Sequence, residues 1–210
     1  MDSKLRALGP LGILAVLIIL AAGLFVGPLA AALLVLLWRW LSKTPWRELG
    51  YVRPSVASVL IAIPAGALFK LLLKALVMPL LGADPVNRAY HFLAGNRAAI
   101  PGMLFTLIVV AGFGEETFFR GWMFERIGKL IGNIGALLVS TTLFAAAHYS
   151  VQGATGTEQA AITGLVFGAI YLRTRSLVPL MAAHAAFDLT AYALIYWNYE
   201  TKVAGLLFKS

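Results

Sequence analysis

Glu115 and Glu116 stand side by side in a run that otherwise reads as membrane helix, and Arg120 follows four residues later. The stretch before them, residues 100–111, carries no charge at all. A charge at mid-bilayer depth costs on the order of 2.5–3.5 kcal/mol on insertion scales, so three of them together require partners. Two later apolar stretches are interrupted in the same way: one ends at His148, and the other carries His184 and Asp188. Helical spacing fixes their local arrangement. Glu116 and Arg120 share a face and can pair, whereas Glu115 is turned about 100° away and is free for something else. His184 and Asp188 repeat the four-residue spacing, as do Phe144 and His148.

Each pair alone has a bland reading, as a structural ion pair or a helix–helix hydrogen bond. Together they say more. The strongly polar side chains of the distal spans are carboxylate, imidazole and guanidinium, the types that move protons or bind metals. Hydroxyls and amides, which suffice as interhelical glue, are sparse there. Rival chemistries lack their residues. With no cysteine there is no thiol nucleophile and no thiolate metal site. Ser140, Ser150 and Ser176 lack the Gly-x-Ser context of a serine dyad, and neither His-Glu-x-x-His nor paired Gly-Asp or Tyr-Asp aspartates occur. A Glu/His site remains.

The elements that must position this site follow from composition. The chain has 210 residues, 60% hydrophobic and 12% charged, with mean hydropathy +0.86. That predicts an all-α, polytopic transmembrane bundle of about 6–8 helices, with the polar site buried among the distal ones. Continuous rather than alternating apolar runs argue against a β-barrel. One membrane domain is expected over 1–210, with a catalytic core at about 101–197 and accessory helices in 1–100. The net charge of +8 comes from cations scattered singly at span ends. This pattern fits anionic headgroups and a cytoplasmic bias, and not nucleic acid.

Residues 8–38 would reach about 46 Å as straight helix, so Gly27-Pro28 marks either a kink or a hairpin. Lys70 and Lys74, on one face of a span over 55–81, are expected to snorkel to headgroups. His91, in a polar connection over 82–99, is expected to be solvated. Helices are expected over 101–129 and 133–149, then a loop over 150–158. A short span over 160–172 offers Gly164 and Gly168 for close packing, and the last span covers 178–197. Arg126, Lys129, Arg173 and Arg175 are placed on the cytoplasmic side, with the polar sites within a few turns of it.

The ordered set Glu115-Glu116-x-x-x-Arg120 (as EETFFRG), Phe144-x-x-x-His148 and His184-x-x-x-Asp188 resembles the CPBP family of intramembrane proteases. That family comprises the CAAX-protease and bacteriocin-processing (Abi) enzymes. The resemblance covers about residues 101–197; earlier residues match only in hydropathy and at Glu48-Leu49-Gly50-Tyr51. It implies peptide-bond hydrolysis of a membrane-associated peptide or protein, in a bacterial or archaeal inner membrane, at a site facing the cytoplasm. Glu115 would be general base on water, helped by His148. His184 and Asp188 would stabilise the oxyanion, and Arg120 would hold the carboxylate pair, with Glu116 as its partner.

Asp188 departs from the asparagine many members carry: an ionised aspartate cannot donate to an oxyanion. It must be protonated, or hold His184 as imidazolium, or bind a metal. The last option would make Glu115, His148, His184 and Asp188 ligands of a divalent ion such as zinc. Metal-independent chemistry, with no cofactor, is the preferred expectation. The alternative function is an inactive immunity or scaffold protein of the same fold.

Overall fold

The computed structural model describes residues 1–84 and 86–208, and no strand occurs among them. A short α1 (Asp2–Arg6) precedes α2 (Pro10–Phe25) and α3 (Pro28–Ser42). Both longer helices begin on proline, whose missing N–H costs nothing in a first turn. Between them Gly27 takes φ +127°, a backbone state open to glycine. The two run antiparallel. Trp38 Nε1 donates to the Leu5 carbonyl at 3.1 Å, and Lys43 pairs with Asp2 at 2.8 Å. Residues 8–38 are therefore a hairpin, its arms about 22–24 Å long against a hydrocarbon core of roughly 30 Å.

Helix α4 (Val56–Leu80) opens on Ser55, whose hydroxyl accepts from Ser58 N at 3.1 Å. It lies directly against α8 (Leu177–Tyr196). A Cβ at Gly66 would stand 2.0 Å from the Ala183 carbonyl oxygen, so the two backbones touch there. The long helical run Arg97–Thr174 is divided by Gly132 (φ +77°) and Gly153 (φ +65°) into α5 (100–131), α6 (133–152) and α7 (154–174). The loop expected over 150–158 is thus a single break at Gly153. Its polar residues are absorbed into helix, as where Thr157 Oγ1 donates to the Gly153 carbonyl at 2.9 Å. Gly164 and Gly168 do serve close packing. A Cβ on them would come within 3.0 Å of Thr141 and 2.5 Å of Leu137 on α6.

The helices alternate in direction, giving the bundle two distinct ends. At one, Arg126 donates to the Arg6 carbonyl, Lys129 pairs with Glu48, Arg175 pairs with Glu125, and Leu177 N donates to the Gly50 carbonyl. It gathers ten cations (Lys4, Arg6, Arg39, Lys43, Arg47, Arg53, Arg126, Lys129, Arg173, Arg175) against three acids (Asp2, Glu48, Glu125). At the other end, formed by 81–84, 86–99, Gly153 and α9 (Glu200–Ala204), Lys74, Arg88, Arg97 and Lys202 face Asp84, Glu158 and Glu200. Net charge is +7 at the first end and +1 at the second, among the described residues. Leu17, Leu33, Leu60, Ile108 and Leu138 point outward. An apolar exterior of this kind is what lipid requires, and the chain is an integral membrane protein.

Candidate active site

Between Thr106 and Phe124 the backbone of α5 widens to i→i+5 hydrogen bonding, a register that in other helices favours functional sites. The wider turn brings Glu115 and Glu116 closer in angle than an α-helix would. Both reach the same imidazole. Glu116 Oε1 accepts from His184 Nδ1 at 2.6 Å and from Arg120 Nη1 at 3.1 Å. Glu115 Oε2 lies 3.9 Å from His184 Nε2, and Asp188 Oδ2 lies 3.5 Å from the same nitrogen. His184 is therefore ringed by three carboxylates, one on Nδ1 and two near Nε2.

The two glutamates nonetheless differ in setting. Glu116 is fully buried, with Arg120 beside it at 1% exposure and the guanidinium 4.4 Å over the Phe144 ring. That ring is fixed edge-on to Phe119 at 5.1 Å. Glu115 instead lines a cavity of about 200 Å³ together with His148, His184 and Asp188, and its Oε2 has no hydrogen-bond partner among the described residues. His148 Nδ1 lies 2.8 Å from the Phe144 carbonyl. A carbonyl only accepts, so Nδ1 carries the proton and Nε2 of a neutral ring is left as an acceptor. The four residues expected to do chemistry thus share one cavity, and Glu116 and Arg120 form its rear support.

Glu48-Leu49-Gly50-Tyr51 buttresses the same helix. Thr117 Oγ1 donates to the Phe113 carbonyl at 2.7 Å, so Tyr51 is the donor in its 2.6 Å bond to Thr117. Burial pushes the Tyr51 hydroxyl up and keeps it a neutral donor. Gly50 sits at φ +75°, where a Cβ would strike the Tyr171 hydroxyl at 2.6 Å.

Three expectations are corrected. Lys70 and Lys74 do not snorkel: they are 5% and 8% exposed. Lys74 pairs with Glu200 at 2.9 Å, and Lys70 donates to Gln159 Oε1 at 2.8 Å while lining the cavity. Sequence spacing flagged the two lysines, but their partners lie 126 and 89 residues away. The split between the glutamates is one of burial and not of direction, because both face His184. Finally, the cavity lies toward the less cationic end. Through Asn87, Gln152, Gly156 and Gln159 it adjoins a second, polar cavity of about 210 Å³ that reaches Asp84 and Arg88. Arg126 and Lys129 follow Glu115 in the chain, but α5 carries them to the opposite end. His91 is exposed, as expected.

Among the described residues no group of three or more His, Asp or Glu side chains converges closely enough to hold a metal ion. His184 engages Nδ1 with Glu116 and His148 engages Nδ1 with a carbonyl, which leaves Nε2 of each ring as the nitrogen that a metal ion would need.

No curated protein and no solved structure matches this chain. A family model described as "Type II CAAX prenyl endopeptidase Rce1-like" matches residues 97–190. Those residues run from the start of α5 into α8 and contain Glu115, Glu116, Arg120, His148, His184 and Asp188. Through this segment, somewhat less than half of the chain, the protein is similar to the Rce1-like type II CAAX prenyl endopeptidases, a CPBP family.

Proposed function

We propose that this chain is an intramembrane endopeptidase that hydrolyses a peptide bond of a membrane-associated peptide or protein. One observation carries the reading: a buried carboxylate oxygen of Glu115, free of hydrogen bonds, shares a cavity with the acceptor nitrogen of His148. A water accepted there meets two acceptors. Glu115 takes its proton as the oxygen attacks the scissile carbonyl carbon, and His148 orients it through Nε2.

With Nδ1 on Glu116 and Nε2 facing Asp188, His184 is a double donor, the imidazolium form. The Nε2–H then turns to the developing oxyanion, which resolves the difficulty posed by an ionised Asp188. Asp188 is a positioning residue in this scheme, holding the charge on His184. Collapse of the tetrahedral species breaks the C–N bond, and protonated Glu115 returns its proton to the leaving amine. Glu116 and Arg120 keep the ring and helix in register throughout. The cytoplasmic bias of cations assigns the ten-cation end to the cytoplasm, so the cavity mouth opens on the opposite face.

The reading is tested by reconstituting the chain with a library of membrane peptides and following cleavage by wild type, Glu115→Gln and His148→Ala, with and without a chelator. Cleavage is expected from wild type, unaffected by the chelator, and should fall by about 10²–10⁴ in Glu115→Gln. Full activity in Glu115→Gln would sink the assignment, and loss on chelation restored by zinc would replace it with metal-assisted hydrolysis. A wild type that cleaves nothing favours the inactive scaffold.

A further inference from the structure

Away from the Glu115 site, where α2 meets α5 and α6 at the cationic end, lies a separate apolar cavity of about 200 Å³. Val16 and Leu20 of α2 and Leu143 of α6 wall it, and Trp122 and Arg126 of α5 line it one turn apart. Both leave donors unspent. Arg126 Nη1 donates to the Arg6 carbonyl at 3.0 Å, and the guanidinium sits 4.8 Å over the Trp38 ring. Its Nε and Nη2 are buried without an acceptor among the described residues. No carboxylate there pairs with it: Glu48 engages Lys129 at 3.2 Å, and Glu125 engages Arg175 at 2.6 Å. Trp122 is 2% exposed, and its indole N–H likewise has no acceptor among the described residues. A buried donor left without an acceptor is costly, and a buried indole N–H normally finds one.

These features fit one kind of molecule. A guanidinium with two unspent N–H positions matches phosphate oxygens. Trp122 lies one turn further from the cationic end, at the depth where the glycerol ester carbonyls of a phospholipid follow its phosphate. Past it, the apolar walls suit an acyl chain. Leu8, Leu130 and Leu143 are exposed at the cavity, so it opens sideways to the bilayer. The surrounding end carries ten cations against three acids. A headgroup bearing its own cation is disfavoured there, and a net anionic one is favoured.

We propose that this cavity is a binding site for one anionic phospholipid. Arg126 holds the phosphate, Trp122 donates to an ester carbonyl, and an acyl chain lies along Val16, Leu20 and Leu143. Lys129 stands beside it as a second cation, shared with Glu48. The lipid bridges α2 to α5, the helix that carries Glu115 and Glu116, and none of its contacts lines the cavity around His184. The site is therefore independent of the hydrolytic reading.

The experiment titrates the full chain in detergent with dioleoylphosphatidylglycerol or dioleoylphosphatidylcholine and counts bound lipids by native mass spectrometry. Wild type is expected to take one phosphatidylglycerol at least about tenfold more tightly than phosphatidylcholine. Arg126→Gln should erase that preference and Arg126→Lys should keep part of it. Arg47→Gln removes an exposed cation of the same end, outside the cavity, and should leave the preference intact. Trp122→Phe keeps the ring and loses the N–H, so both lipids should weaken by about two- to tenfold. Equal affinity of wild type for the two lipids overturns the proposal, as does a preference that survives Arg126→Gln or falls equally in Arg47→Gln. Unchanged binding in Trp122→Phe overturns the ester contact. Displacement of the lipid by glycerophosphoglycerol, the same headgroup without chains, overturns the lipid in favour of a free phosphate ester. The comparison of lipids on wild type and the Trp122→Phe shift carry the test even where Arg126→Gln does not fold.

Discussion

Exchanging Glu115 and Glu116, one at a time, for glutamine separates chemistry from support. Glu116 Oε1 holds both Arg120 and His184, and the carboxylate and guanidinium are at 0% and 1% exposure. Glu116→Gln leaves Arg120 as a buried cation without its anion, a change that costs about 3–5 kcal/mol. At about 2–4 °C per kcal/mol for a chain of this size, unfolding should fall by roughly 6–20 °C. Glu115 Oε2 has no hydrogen bond to lose, and a neutral amide there is easier to bury. Glu115→Gln should therefore leave the unfolding temperature unchanged or raised, while cleavage falls by about 10²–10⁴. Thermal unfolding in one detergent, paired with cleavage of one peptide, reads both effects. If Glu116→Gln is as stable as wild type and Glu115→Gln is the destabilised variant, the assignment of roles is refuted.

Three further outcomes are expected. Breaking the buried Lys74–Glu200 pair by either Lys74→Met or Glu200→Gln should cost about 3–5 kcal/mol, and the double variant Lys74→Met/Glu200→Leu should recover most of it; thermal unfolding of all three decides. Since the chain has no cysteine, Arg88→Cys and Arg47→Cys each give a single thiol, at the mouth end and at the cationic end. A membrane-impermeant maleimide applied to intact cells should label the first and spare the second, and the reverse pattern would return the mouth to the cytoplasm. At the mouth, the Val86 backbone N–H and then Arg88 hold the Asp84 carboxyl below its usual range. Its contribution is therefore present above the unfolded value and lost as pH falls through the lower folded one. Hydrogen exchange at Val86 should stay slow from neutral pH down to that acid range, and Asp84→Asn should abolish the acid step.

The sequence by itself determined the solvent, the helical class and the chemistry-bearing residues. Apolar runs long enough for lipid leave only helices, because backbone groups there must be satisfied within the segment. Charges in such runs are too costly to be incidental, so Glu115, Glu116, Arg120, His148, His184 and Asp188 stand out in the sequence alone. Helical spacing also paired Glu116 with Arg120 correctly, since four residues in one helix is a local relation.

Tertiary structure decided what depends on distant partners. Lys70 and Lys74 looked like interfacial lysines because α4 holds no acid to pair with them; Gln159 and Glu200 reach them only once the bundle closes. The hairpin at Gly27-Pro28 is settled by Trp38 meeting Leu5. The wide register of α5, which turns both glutamates to one imidazole, is a backbone choice that side-chain spacing does not reveal. The end of the bundle at which the cavity lies was not legible for the same reason. Chain order places Arg126 near Glu115, but a helix separates its two ends by its whole length, and the mouth is built from loops at the other end.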